Sequence, residues 1–217
     1  MSCLKKVILV SGFCRTGKDT FYTKLANENN KEMFNWRIYK NPSKRSKKID
    51  RSLRYIRCAF ADSLKEDEAP LIYGIPPSIP DSEKDIKKFI HYKTGKLVSA
   101  RDIYIELGKM RRKEDIDYWC KAASKKIGEQ DENTCWVVTD WRFHNEADFI
   151  INNYEDVITI RLYRSDVPQP DLCIDSEHNI DDYLADFLLL RDNVEGEFES
   201  AISVFPQYSN YIPCETI

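Results

Sequence analysis

The sequence predicts an α/β fold in three layers, α/β/α, built on a five-stranded parallel sheet with helical and lid insertions. Three observations support this prediction. Apolar segments with strand character alternate with helical patterns along the chain. The first apolar run ends in a Gly-x-x-x-x-Gly-Lys turn, and the 217 residues contain no internal repeat or second core. Strands that alternate with helices require right-handed crossovers, which produce a parallel sheet with ligands at the carboxyl ends of its strands.

The apolar runs give the positions of the strands, and the helical periodicity gives those of the helices. We expect strands at about 7–10, 55–60, 135–139, 157–162 and 187–190, and helices at about 18–27, 64–72, 147–154 and 198–205, with two more within 101–127. Prolines at 70, 76, 77 and 80 break the chain after the second helix. We therefore expect one domain, 1–217, with a basic insertion at about 30–52, a second insertion at about 73–127 and a lid at about 163–182.

Residues 12–20 read Gly-Phe-Cys-Arg-Thr-Gly-Lys-Asp-Thr and directly follow the first apolar run. Gly12 and Gly17 allow the backbone to curl so that its N–H groups face inward, and Lys18 can reach the β- and γ-phosphates of a nucleotide. The helix that begins near Lys18 points its positive end at the same anion. The pattern predicts an ATP-binding loop, to which Arg15 and Thr16 also belong.

Two carboxylates near this loop are candidates for placing Mg²⁺. Asp19 stands where a Ser or Thr would normally offer the metal a hydroxyl, so we expect Thr20, or a water held by Asp19, to help place it. Asp140 ends an apolar strand, at the sheet edge that faces the loop. An alternative is that Asp140 and Asn145 cap the helix that begins near Glu146.

Arginines supply the other candidate phosphate contacts. Arg111 and Arg112 are predicted to occupy the elbow between the two amphipathic helices, where a planar guanidinium could meet a phosphate with two hydrogen bonds. A solvated pair is the alternative. Arg142 follows Asp140 by two residues. Arg161 and Arg164 are predicted to lead from the fourth strand into the lid, and lid arginines can close over a transferring phosphoryl group.

The composition bears on compartment and partners. Seven cysteines without paired or metal-type spacing favour a reducing compartment, and no apolar run approaches the roughly 20 residues of a membrane span. We expect a cytoplasmic protein without a membrane partner. Residues 37–57 carry nine Lys or Arg against one acid, which indicates a solvated basic loop or, less favoured because few aromatics are interleaved, a nucleic-acid-binding surface.

Five ordered blocks of the sequence resemble the deoxynucleoside monophosphate kinases of bacteriophages and large DNA viruses. The resemblance covers most of the chain and rests on residues 12–20, 60–65, 108–119, 139–146 and 175–177. It implies an adenylate-kinase-like P-loop NTPase sheet, ATP with Mg²⁺ as the donor, and a nucleoside monophosphate as the acceptor. On the acceptor side it implies roles for Asp62, Lys65, Trp119, Asn145, Glu146 and Glu177, together with Arg111, Arg112 and Arg142.

An acceptor phosphate is already an oxyanion at neutral pH, because its second pKa is near 6, so this chemistry needs charge clamps rather than a catalytic base. We assign Lys18 and Arg15 to the donor phosphates, and Asp19, Thr20 and Asp140 to Mg²⁺ placement. We assign Arg111, Arg112 and Arg142 to the acceptor phosphate, or to the charge that migrates during transfer.

Animal-type phosphomevalonate kinase shares several of these blocks and is the main alternative, since its elbow closely resembles residues 108–120. It has three consecutive basic residues where this chain has Phe13, Cys14 and Arg15, and the pair Asn145-Glu146 is closer to the nucleotide kinases. A nucleic-acid-directed P-loop kinase or ATPase that uses residues 37–57 is a further alternative. The high Asn, Ile, Lys and Tyr content, together with the resemblance, favours a large DNA virus and hence the host cytoplasm. The oligomeric state is left open, a homodimer being one option.

Overall fold

A computed structural model of the chain describes residues 6–27, 36–45, 47–50, 52–77, 79–128, 133–170, 178–191 and 196–215. The chain divides into two compact units. Met1–Cys58 and Gln130–Ile217 together form the first, which we call the sheet unit. Ala59–Glu129 forms the second, which we call the helical unit. The predicted insertion at about 73–127 lies within the helical unit. Each unit is described by itself.

The strands and helices of the described residues have the following bounds. The strands are β1 Lys6–Ser11, β2 Trp36–Lys40, β3 Arg54–Cys58, β4 Lys88–Ile90, β5 Leu97–Ser99, β6 Thr134–Val138, β7 Asp156–Tyr163, β8 Phe187–Arg191 and β9 Ile212–Cys214. The α-helices are α1 Lys18–Ala26, α2 Ala69–Tyr73, α3 Ala100–Glu114, α4 Tyr118–Gly128, α5 His144–Asn153 and α6 Glu197–Val204. Among these described helices, none is long and apolar enough to cross a membrane.

The sheet unit is built on a seven-stranded, mostly parallel sheet with the order β3-β6-β1-β7-β8-β2-β9. Strands β3, β6, β1, β7 and β8 pair in parallel, whereas β2 pairs antiparallel with both β8 and β9. Strand β1 lies between β6 and β7, with Leu9 opposite Val138 on one side and Thr159 on the other. The loop that follows β1 therefore leaves the sheet near the middle of its carboxyl edge.

Apolar side chains on both faces of the sheet explain why its central strands are buried. Phe21 and Leu25 of α1 pack with Leu189 of β8 in one cluster. Ala201 of α6 packs with Leu188 of the same strand in the other. Successive strand residues point to opposite faces, so α1 and α6 cover opposite sides of the sheet. Burial on both faces is typical of parallel sheets and requires the near-continuous apolar runs seen in the sequence.

The helical unit consists of an antiparallel hairpin, β4 and β5, and the helices α2 to α4, with a π-helical segment at Leu64–Glu68. The Ser99 hydroxyl accepts a hydrogen bond from the backbone N–H of Asp102 at 3.1 Å and so caps α3. The Trp119 indole N–H donates to the carbonyl of Gly108 at 3.3 Å, which ties α4 to α3. The two predicted amphipathic helices within 101–127 are therefore present, and they pack on each other.

The five predicted strands agree with β1, β3, β6, β7 and β8 to within two residues, but the sheet is wider than five strands. The predicted basic insertion contains β2, whose Arg37 and Lys40 interrupt the apolar alternation that indicates a strand. Strand β9 is three residues long and includes Pro213, which is tolerated near a sheet edge but is a poor strand signal. Both strands extend the sheet through antiparallel pairing, which the βα alternation does not indicate.

Candidate functional site

Residues 12–17 form the tight turn that joins β1 to α1, and we call this turn the glycine loop. The backbone φ angle is 150° at Gly12 and 99° at Gly17. A Cβ atom at Gly12 would lie 2.5 Å from Oγ1 of Thr16 and 2.8 Å from the carbonyl oxygen of Leu162, so only glycine fits. Arg15 has a φ of 67°, a conformation that side-chain-bearing residues rarely adopt, and its side chain is exposed. The loop is thus closely folded, with Arg15 pointing to solvent.

The Lys18 ammonium group folds back over the glycine loop. Its Nζ donates to the carbonyl oxygens of Gly12 at 2.6 Å and Phe13 at 2.8 Å. The Phe13 carbonyl also accepts from the hydroxyl of Thr16 at 2.8 Å and from its N–H at 3.3 Å. Lys18 is the first residue of α1, and Gly17 at the N-cap provides no side-chain cap. A cation and the positive end of a helix are therefore concentrated at one turn, where an anion would be stabilised.

Asp19 lies in the first turn of α1 and is held by two donors. Its Oδ1 accepts from Nε of Arg57 at 3.0 Å and from the hydroxyl of Thr139 at 3.1 Å. Burial would raise the pKa of Asp19, but the hydrogen bond and charge of Arg57, the Thr139 hydroxyl and the Lys18 charge together lower it below its ordinary value. Asp19 is therefore ionised at neutral pH, with exposed Thr20 next to it in the helix.

Sequence reasoning did not single out Arg57. It lies near the carboxyl end of β3, and its side chain is 36% exposed while it contacts the Asp19 carboxylate. The sequence does contain a signal for this residue, because Arg57 is a cation within the apolar run 55–60, just before the strand reaches the edge where the glycine loop lies. The same cation also ends the basic run 37–57, and the composition of that run does not distinguish it from the other basic residues.

Asp140 lies two residues after Val138, the last residue of β6, and is partly exposed at the carboxyl edge of the sheet. Parallel pairing of β6 with β1 puts this end of β6 on the same edge as the glycine loop, as predicted. The buried carboxylate of Glu146 accepts from the backbone N–H groups of Arg142 at 2.8 Å and Phe143 at 3.1 Å. Glu146 thereby orders the turn before α5, a role that the capping alternative gave to Asp140 and Asn145. Arg142 and Asn145 are partly exposed.

The two arginines assigned to a lid lie in different environments. Arg161 is within β7, opposite Ser11 of β1, and is only 2% exposed. Its guanidinium donates to Oδ1 of Asp181 at 2.6 Å. Arg164 follows the strand and binds Asp166 through two hydrogen bonds of 2.9 Å and 2.7 Å. Arg161 is therefore a strand residue under the loop rather than a residue of the segment that follows β7.

The helical unit carries five of the candidate acceptor residues, namely Asp62, Lys65, Arg111, Arg112 and Trp119. The Asp62 carboxylate accepts from the backbone N–H of Ala59 at 2.7 Å, and Lys65 is partly buried in the π-helical segment. Trp119 is 2% exposed and packs inside the unit, so its indole supports the helices. These contacts show that Asp62 and Trp119 have structural partners within the unit.

Arg111 and Arg112 lie in the last turn of α3, not in the elbow, which residues 115–117 form. The helix continues past them because no residue before Asp115 breaks it. The Arg111 guanidinium donates to Glu68 at 2.8 Å and to Glu114 at 3.0 Å, and lies 5.1 Å from the centre of the Tyr118 ring. The hydrogen bond to Glu68, with that to Glu114, raises the pKa of Arg111 above its ordinary value. Its orientation is thus fixed, as bidentate recognition requires.

Part of the basic run 37–57 is neutralised within the sheet unit. Lys47 donates to the carbonyl of Val157 at 2.5 Å and to Oδ2 of Asp186 at 3.1 Å. Lys44 lies 3.7 Å from the other oxygen of the same carboxylate, which is 4% exposed. These two lysines therefore hold the segment against the sheet. Glu177, assigned to the substrate, lies outside the described residues.

The arrangement is suited to binding a multiply charged anion. The Lys18 ammonium and the α1 N-terminus supply positive charge, while the Arg57 guanidinium is offset by its ion pair with Asp19. The close fold at Gly12 leaves backbone where a side chain would stand. Across the described parts of the chain, no three His, Cys, Asp or Glu side chains are grouped as metal ligands. Asp19, Thr20 and Asp140 carry oxygen atoms at this edge, the ligand type that Mg²⁺ takes, and Mg²⁺ is commonly bound by one or two carboxylates together with substrate phosphates.

No protein-family model matches the chain. No curated protein matches it significantly either.

Proposed function

We propose that this chain is an ATP-dependent kinase of the P-loop, adenylate-kinase-like type that phosphorylates a (deoxy)nucleoside monophosphate to the diphosphate. The observation that carries the proposal is the Lys18 ammonium resting on the carbonyls of Gly12 and Phe13, over a loop with no room for a Cβ at Gly12. The same loop leads from a central parallel strand into a helix N-terminus. Strand, glycine loop and lysine in this order are typical of nucleotide phosphate binding.

On the donor side, the glycine loop would hold the phosphates of ATP through its backbone N–H groups, and Lys18 would move from the loop carbonyls to the β- and γ-phosphates. ATP with Mg²⁺ supplies the phosphoryl group. Arg15 is exposed on the loop and can contact the same phosphates. The Asp19 carboxylate forms an ion pair of 3.0 Å with Arg57 and so holds the guanidinium at the carboxyl edge of the sheet. Asp140, Thr20 and Asp19, the last through a bound water, are the residues that would help place the metal.

The acceptor assignment rests on charge. A monophosphate acceptor needs no base to become a nucleophile, but its approach to ATP brings like charges together. Arg142 in the sheet unit and Arg111 and Arg112 in the helical unit are the candidates to neutralise that charge. Arg111 is already oriented by Glu68 and Glu114, which supports a preorganised guanidinium.

An assay of ADP release tests the proposal. Purified protein with ATP and Mg²⁺ is offered each deoxynucleoside and ribonucleoside monophosphate, phosphomevalonate, or a DNA or RNA oligonucleotide. We expect turnover with at least one nucleoside monophosphate and none with the other acceptors. Turnover with phosphomevalonate alone would reassign the acceptor, and a tight, salt-sensitive complex with an oligonucleotide would favour a nucleic-acid-directed enzyme. ATP that neither binds nor turns over would overturn the donor assignment.

A further inference from the structure

A buried cluster lies directly beneath the glycine loop in the sheet unit. The Phe13 side chain points away from the loop and is 3% exposed. The Arg161 guanidinium lies 5.2 Å from the centre of the Phe13 ring and 4.5 Å from that of Phe205. The two rings are themselves 5.5 Å apart. The guanidinium thus contacts two aromatic rings at distances typical of cation–π interactions.

A chain of contacts from Arg161 through Asp181 to His178 holds the guanidinium in this position. Asp181 accepts from Arg161 at 2.6 Å through Oδ1 and is 2.6 Å from Nδ1 of His178 through Oδ2. The His178 ring closes the chain by packing edge-on against Phe13, with ring centres 5.4 Å apart. Nε of Arg161 is buried and has no hydrogen-bond partner within the described structure. Stacking and the Asp181 ion pair therefore orient this guanidinium.

A buried arginine at this position is energetically unfavourable. Removing a guanidinium from water costs stability, and an unpaired buried N–H adds to that cost, whereas a leucine at the same point in β7 would pack without either penalty. Positions where a sequence departs from the rules of core packing are expected at functional sites. The backbone of Phe13 suggests the function here, because its carbonyl accepts from both Lys18 and Thr16.

We propose that Arg161 is a positioning residue for the glycine loop. Its guanidinium holds the Phe13 ring from below, and the Phe13 carbonyl in turn sets where the Lys18 ammonium lies. Asp181 and His178 keep the guanidinium in place. The inference rests on the proposed function, since it concerns the loop that would bind ATP, and it adds a residue that contacts neither nucleotide nor metal.

A double-mutant cycle tests this coupling. Arg161→Lys keeps the charge for Asp181 but removes the planar group that stacks, and Phe13→Leu keeps an apolar side chain but removes the ring. We expect each single variant to weaken ATP affinity, measured by titration calorimetry, by about 10-fold. The double variant should be weaker than the poorer single variant by less than about 3-fold, because both changes break the same contact. Two independent effects would instead multiply to about 100-fold, and that result would overturn the proposal.

Two controls separate positioning from a loss of stability. Ile158→Val, in the same strand but in the other core cluster, should lower Tm with ATP affinity unchanged. Arg54→Lys, exposed at the amino end of β3, should change neither quantity. Asp181→Asn is the milder variant if the Arg161 and Phe13 variants do not fold, and it should also weaken ATP affinity.

The outcomes distinguish this inference from the proposed function. If Arg161→Lys or Asp181→Asn lowers Tm as Ile158→Val does and leaves ATP affinity unchanged, Arg161 is merely structural and the inference is wrong. If the protein without substitutions does not bind ATP, the proposed function itself is wrong, and this is known before any variant is compared.

Discussion

The hydroxyl of Thr139 donates to the carboxylate of Asp19 at 3.1 Å, which joins the carboxyl end of β6 to the first turn of α1. Thr139 immediately precedes Asp140, and Asp19 immediately follows Lys18. One hydrogen bond therefore joins the neighbour of Lys18, which is predicted to contact the donor phosphates, to the neighbour of Asp140, which is predicted to place the metal. Burial raises the pKa of Asp19, but the hydrogen bond and charge of Arg57, the hydrogen bond from Thr139 and the charge of Lys18 together lower it below its ordinary value.

The lowered pKa of Asp19 predicts a pH-dependent contribution to stability. A carboxylate with a folded-state pKa below its unfolded value stabilises the fold above the ordinary aspartate pKa, about 3.9, and loses this effect as the pH falls through the lowered value. Asp19→Asn should therefore lower Tm at pH 7, and the difference from the unchanged protein should shrink toward pH 3. Thermal unfolding followed by circular dichroism measures this. Asp148→Asn, exposed on α5, is the control, and a Tm difference for Asp19→Asn that does not vary with pH would contradict the assignment.

Lys18→Ala should abolish phosphoryl transfer and leave the fold intact. The ammonium is partly exposed and contacts loop carbonyls rather than the core, so its loss affects charge during the reaction more than packing. We expect turnover to fall by more than ~10²-fold, the size of a single preorganised charge contact. Steady-state kinetics and Tm are measured together. Lys24→Ala, in the last turn of the same helix, should retain activity. Unchanged turnover in folded Lys18→Ala would contradict the proposal that Lys18 acts on the phosphates during transfer.

Changing Arg111, Arg112 and Arg142 singly to lysine tests the acceptor side. Lysine keeps the charge but cannot form the planar two-donor contact with phosphate. At least one variant should lower kcat/KM for the monophosphate by ~10-fold or more, the size of one charge-assisted hydrogen bond at about 1.5–3 kcal/mol. ATP affinity measured without acceptor should change little. Loss of ATP binding in all three variants, with an unchanged acceptor KM, would assign these arginines to the donor and direct attention to Asp62 and Lys65.

Lys47→Met should destabilise the sheet unit. The ammonium neutralises the buried carboxylate of Asp186, which also accepts from the N–H of Thr159 at 2.8 Å, and its removal leaves that carboxylate with less compensation. We expect the free energy of unfolding to fall by about 1–3 kcal/mol in urea denaturation. Lys48→Met, exposed in the same run, should have little effect. Equal effects from both lysines would indicate that the run acts through its general charge.

Cys14 should be the most reactive of the described cysteines toward an alkylating reagent. It is exposed on the glycine loop, whereas burial raises the pKa of the Cys135 thiol to about 12, so almost no thiolate forms there. Alkylation followed by mass spectrometry gives the rate at each site. Saturating ATP should slow the reaction of Cys14, while partly buried Cys214 serves as the internal control. An unchanged Cys14 rate with ATP would indicate that nucleotide does not cover this loop.

The parallel strands and the glycine loop were predictable because local signals encode them. The run Val7 to Val10 is apolar on both faces, and Gly12 and Gly17 are required by their own backbone geometry. The sequence does not indicate strand β2 because its pairing depends on β8 and β9, which are about 150 and 175 residues away in sequence. A half-exposed strand with two basic residues has too weak an apolar alternation to be recognised locally.

The side-chain partners were the least predictable part of the site. The position of Arg161 before a proline-containing segment predicts a lid residue, whereas the strand register places it opposite Ser11 inside the sheet. The basic run 37–57 predicts no separate role for Arg57, although Asp19 gives it a specific contact. Such pairings join residues about 20 to 40 positions apart, and no single local pattern contains both members. Motif spacing predicted where the charges lie but not which opposite charge each one meets.

The central position of β1 also determines when the glycine loop can fold. Strand β1 is made early in synthesis, but both of its neighbours, β6 and β7, follow more than a hundred residues later. Contacts so distant in sequence form slowly, because the intervening chain must lose its freedom before they contribute. On the ribosome, the apolar run 7–10 must wait for Asp156–Tyr163 before it is enclosed on both sides. A nascent chain would therefore acquire its phosphate-binding turn only after most of the protein has been synthesised.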